Sequence, residues 1–170
     1  MYNSLFLPHL NYAILAWGYS GDRIAKLQKQ AIRLLCSARF NAHTEPLFKK
    51  LNTLKFCDLM RARALKFYFR HSNSELPRYF DQMFSTTVAT HSYSTRNRNV
   101  PRPQISTHNR TANRTRFYIP SVLEAVPNLI KEKVHTHSYC GFSKYLKTFF
   151  IGQYSETCNV TNCHVCNYQP

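Results

Sequence analysis

The chain has 170 residues and a mass of 20.0 kDa, with 23 lysines and arginines against 8 aspartates and glutamates, a formal charge of +15. Hydrophobic residues make up 44% of it, which is enough to bury a core and excludes both a polybasic tail and a wholly disordered chain. Eight scattered acids exclude chemistry that needs clustered carboxylates, and the basic excess points to a polyanion partner, nucleic acid before membrane.

The patterning predicts a mainly α protein: a small helical bundle, an extended basic connector, and a C-terminal amphipathic helix. In residue terms this is a helical region over 1–85, an arginine-rich connector over 86–119, a helical segment over 120–152 and a cysteine-containing tail over 153–170, expected to be flexible. Net charge falls as +8 over 1–85, +5 over 86–130 and +2 over 131–170.

The first apolar segment covers residues 4–18. Pro8, His9 and Asn11 interrupt it, and it is too short to span a bilayer. Asp22 is a candidate cap for a helix running to about Ala38, with Ile24, Leu27, Ala31, Leu34, Leu35 and Ala38 expected on its core face. Lys26, Lys29 and Arg33 then form a basic row on the opposite face. Thr44 precedes a short helix with Pro46 in its first turn.

A longer helix is expected over 56–70, with Met60, Ala64, Phe67 and Tyr68 inward and Arg63, Lys66 and Arg70 as a second basic row. Either row alone reads as a solvated face. Two rows on neighbouring helices of a +15 chain favour a phosphate-binding surface. Leu76-Pro77 begins a final short turn of helix ending near Phe84.

Residues 85–118 are rich in Ser, Thr, Asn and Arg and poor in aliphatic side chains, so they cannot offset their chain entropy by burial. No acid lies between Asp81 and Glu124. Arg96, Arg98, Arg102, Arg110, Arg114 and Arg116 are therefore candidate phosphate ligands, with Tyr93, Phe117 and Tyr118 able to stack on unpaired bases. Beyond them, Val122, Leu123, Val126, Leu129 and Ile130 suggest a helix broken around Pro127. Phe142, Tyr145, Leu146, Phe149 and Phe150 recur at i, i+3, i+4, i+7 and i+8, a core-facing stripe.

The tail carries Cys158, Cys163, His164 and Cys166, the ligand types and one C-x2-C spacing of a zinc site. A second ligand pair at the usual distance is missing, though Cys140 or His137 could complete a tetrahedron. Zinc is thus the one candidate cofactor, against an incidental cysteine tail. No phosphate-binding glycine loop, nucleophile elbow or H-E-x-x-H motif occurs, and no two acids stand adjacent or one apart. Two-metal nucleotidyl transfer needs such carboxylates, so no catalytic residue is assigned and no enzyme activity or small-molecule substrate is expected.

Several segments resemble one family in order. Residues 4–18, Ser-Leu-Phe-Leu-Pro-His-Leu-Asn-Tyr-Ala-Ile-Leu-Ala-Trp-Gly, are similar to the SLF-x-PHLNYGI-x-WG segment of non-LTR retrotransposon reverse transcriptases of the Jockey and chicken-repeat kind. Leu27 to Arg33 resembles their LQ-x-x-AIR helix, and His43 to Asn52 their HTEPLFKKLN stretch. Asp58, Lys66-Phe67 and Leu76-Pro77 stand where that family has a D, a KF and an LP. His91 to Asn97 resembles H-x-Y-x-TRN, and Phe142 to Lys147 the terminal F-K-x-x-L-K helix. The resemblance covers about residues 2–152.

It implies the post-palm, thumb-like region of the polymerase, which in the family contacts template–primer duplex and element RNA. The implied partners are RNA or an RNA–DNA duplex without sequence preference, and the palm of the parent polymerase, whose paired aspartates are not in this chain. The chain departs from the family at Leu123-Glu124 before Val126-Pro127, and in its cysteine tail. An intracellular location, nuclear or cytoplasmic, is expected, with no membrane partner. The alternatives are a small zinc-containing nucleic-acid or protein interaction module, which would carry about one zinc per chain, or a decayed copy without activity.

Overall fold

The computed structural model describes residues 2–12, 14–18, 21–84 and 110–157, with the side chains of 17, 82–83 and 110–117 left aside. These residues are mainly helical, with no strand among them. A π-helical turn, Tyr2–Phe6, leads into α1 (Leu7–Asn11), followed by α2 (Ile14–Trp17), α3 (Asp22–Leu35), α4 (Glu45–Lys50) and α5 (Phe56–Ser72). A 3-10 turn, Arg78–Phe80, runs into α6 (Asp81–Phe84). The chain then continues through α7 (Arg110–Ala125), α8 (Asn128–Thr136) and α9 (Tyr139–Gly152). No described helix is long and apolar enough to cross a membrane.

Helix α5 is the hub. It packs against α2, α3, α7, α8 and α9, and accordingly buries Phe56, Leu59, Met60, Ala62, Ala64, Leu65 and Phe69, more than one stripe. The expected inward residues Met60 and Ala64 are buried, while Phe67 and Tyr68 are half-buried and meet the rings of Phe80 and Phe84. On α9, Phe142, Leu146 and Phe150 are buried, and Phe142 stacks on Phe69 of α5 with ring centroids 5.0 Å apart.

Helices α3, α4 and α5 end alike. Ser37, Asn52 and Ser74 adopt left-handed φ values of 51°, 49° and 58°. The next amide bonds back over the turn each time, Ala38 to the Arg33 carbonyl, Thr53 to Phe48 and Glu75 to Arg70. These are Schellman closures, in which glycine is the favoured residue at the left-handed position. Relief of the side-chain cost should outweigh the chain entropy of an added glycine. Ser74→Gly is therefore expected to stabilise the fold by about 0.5 kcal/mol, read as a rise in the denaturant midpoint.

The structure corrects the reading of α3. Its buried residues are Gln28 and Ile32, not the leucine row. Leu34 is 80% exposed and Leu27 52%, and Phe40 just beyond the helix is 89% exposed. The helix is turned by the close approach of Gly21 to Phe56, whose ring a side chain at 21 would overlap, and by the hydrogen bonds of Gln28. Leu34→Lys separates the two faces. It is expected to change stability by under about 0.5 kcal/mol while reducing self-association in light scattering, whereas a core position would lose several times that.

The structure also differs after residue 110. Helix α7 begins at Arg110, inside the stretch read as extended, and passes through Pro120 to Ala125. Ile119, Val122 and Leu123 of its second half are buried, so tertiary packing holds a helix that the polar composition argued against. Pro127 caps α8 with an extended backbone, which places the break where the sequence suggested.

Candidate nucleic-acid interface

The two basic rows lie on packed helices, but their members differ in what they do. On α3, Lys26 and Lys29 are exposed and make no ion pair among the described residues. Arg33 is half-buried, and its Nε donates to the Ala42 carbonyl at 2.8 Å, tying the α3–α4 loop down. On α5, Arg63 Nε donates to Asn11 Oδ1 at 3.1 Å, bracing the end of α1. Burial, then the neighbouring Arg63 charge, pushes the Lys66 ammonium below its ordinary pKa. A phosphate beside Lys66 would act against both causes by favouring the charged form. Arg70 is exposed, with its guanidinium 4.8 Å from the Tyr139 ring centroid and Nε 3.8 Å from Glu75.

Lys26, Lys29 and Arg70 are thus the exposed cations of the two rows, while Arg33 and Arg63 also brace the fold and Lys66 is half-buried. An arginine has five N–H donors, so one structural bond leaves others for a phosphate. Arg96, Arg98 and Arg102 lie outside the described residues. Arg110, Arg114 and Arg116 fall on the first two turns of α7, their side chains outside the described set.

A second basic group escaped the sequence reading. Arg61 lies on α5 away from the Arg63 row, half-exposed, with Nη1 3.1 Å from Asp58 Oδ1. Asp58 is buried and also accepts from the Tyr154 hydroxyl at 2.7 Å. Tyr154 in turn receives the Lys55 amide at 3.0 Å, and its carbonyl accepts from Lys49 Nζ at 3.1 Å. Burial, reinforced by the Asp58 bond, holds the Tyr154 phenol far above its ordinary pKa. This knot fastens the chain after α9 to the α4–α5 junction. An isolated Arg two residues from a basic row gives no periodic signal, which is why Arg61 was missed.

Cys158, Cys163, His164 and Cys166 lie outside the described residues. Among the described residues no three histidines, cysteines or carboxylates gather as a metal site, and Cys140 is exposed on α9. No protein-family model, curated protein or solved structure matches this chain.

Proposed function

We propose that this chain is a C-terminal, post-palm and thumb-like region of a non-LTR retrotransposon reverse transcriptase. It binds template–primer duplex or element RNA through phosphates and catalyses nothing itself. Lys26 and Lys29, exposed and without an ion pair among the described residues, on a helix of a +15 chain, are the observation that supports the binding reading best. The ordered run of family-like segments supports the lineage, and a mainly helical fold is compatible with it.

Contacts to phosphate position a protein on a duplex but carry no sequence information. The expected preference is therefore for helical form and charge rather than for base order. Anisotropy of a labelled RNA–DNA hybrid tests this, with unrelated competitors of the same length. All should compete equally, and Lys26→Gln with Lys29→Gln should weaken binding to all of them alike. Failure to bind, or competition by one sequence only, would contradict the reading. Genomic DNA upstream of the Met1 codon tests the lineage, which requires a palm frame with paired aspartates.

A further inference from the structure

A cleft of about 350 Å³ opens where α5, α7 and α9 meet, at the low end of the range for small-molecule sites. Its walls include the rings of Tyr118 and Phe149 and the face of Pro127, with Arg61, Ser121 and Gln153 as polar groups. Phe149 is braced edge-on by Phe150, centroids 5.5 Å apart, so its ring is held in place. The Tyr118 phenol is pushed up to about 12, chiefly by burial, and so stays a neutral donor at any physiological pH.

These groups have complementary uses. Aromatic faces take a flat, unpaired ring by stacking, and a primary amide and hydroxyls take the polar edge of such a ring. The Arg61 guanidinium spends one of its five donors on Asp58, whose other oxygen is engaged by Tyr154. Its remaining donors can meet a phosphate at the mouth of the cleft.

We propose that this cleft takes one unpaired nucleobase of a single strand, with the adjoining phosphate on Arg61. The inference rests on the nucleic-acid reading above for the source of the base. A strand end or flipped nucleotide would then be held here while a duplex lies on the basic rows. The same chemistry would admit a free mononucleotide, and the test separates the two sources.

Binding is measured for a blunt RNA–DNA hybrid and for the same hybrid with a short single-stranded overhang. The overhang should tighten binding about tenfold, as expected for one stacked base. Ala125→Trp fills the cleft from its exposed rim without removing any polar group of the site. It should erase the gain and leave the blunt hybrid unchanged, and Arg61→Gln should also erase the gain. In parallel, uridine and adenosine 5′-monophosphates are titrated while the ring signals of Tyr118 and Phe149 are followed by NMR. Shifts that vanish in Ala125→Trp support the site independently, even if neither hybrid binds and the interface on the basic rows is wrong. A gain from the overhang with silent mononucleotides assigns the site to strands. Equal affinity for both hybrids with unshifted rings overturns the proposal, as does a gain that persists in Ala125→Trp.

Discussion

Gln28→Ala is expected to lower the unfolding free energy by about 3 kcal/mol, although it replaces a polar residue on a helix. Gln28 is fully buried and joins three segments. Its Nε2 donates to the Tyr2 hydroxyl at 2.7 Å and to the Leu54 carbonyl at 2.9 Å, and its Oε1 accepts the Phe56 amide at 2.8 Å. One amide thus ties the N-terminal turn and the start of α5 to α3. Truncation takes this donor from a buried carbonyl and this acceptor from a buried amide, each costing about 1–3 kcal/mol. Gln28→Met keeps the volume but none of the bonds and should fare little better, which separates the polar effect from cavity formation. In a chain of this length the loss corresponds to a fall in Tm of about 10 °C. A drop of under about 1 kcal/mol in chemical denaturation would show that the bonds do not hold this junction together.

Phe142→Ala is the second large effect, at about 4 kcal/mol. Phe142 is fully buried on α9, stacked on Phe69 of the central helix. Its removal loses the transfer energy of a phenyl group and leaves a cavity that the flanking Phe69 and Leu146 can only partly fill. Since α9 also carries Phe149, the same variant should loosen the wall of the cleft beside Arg61. Urea titration followed by far-UV circular dichroism measures the loss. A cost near 1 kcal/mol would mean that α9 is not a core element.

Helix α9 was legible in the sequence because its neighbours lie on one side, so its aromatic stripe obeys the helical period. Helix α3 was not. Leu27 and Leu34 of its most regular apolar row face outward, and the residue that anchors it is a glutamine whose partners lie 26 to 28 positions away. Periodicity cannot show a polar group satisfied by distant backbone. Helix α5 blurs for the opposite reason, since packing on several sides erases a single stripe. The start of α7 was hidden by its polar composition, which propensity alone rejects.

The candidate site was half legible. Lys26, Lys29 and Arg70 stand exposed as the charge pattern suggested, while the bonds of Arg33 and Arg63 to Ala42 and Asn11 depend on tertiary structure. Many residues of the family-like segments turn out to be core: Leu10, Ile14, Ile32, Phe48, Phe142 and Leu146 are all buried. Their order along the chain therefore speaks to fold more than to chemistry, and binding must be tested by itself.

The most direct measurement is the salt dependence of RNA–DNA hybrid binding by the intact chain. Each neutralised phosphate releases counterions and steepens the log–log slope by about 0.9 on duplex DNA, and by a similar amount on a hybrid. The account predicts a steep negative slope that becomes shallower by roughly 2 when Lys26 and Lys29 are both changed to glutamine. A flat dependence, or an unchanged slope in the double variant, would contradict it.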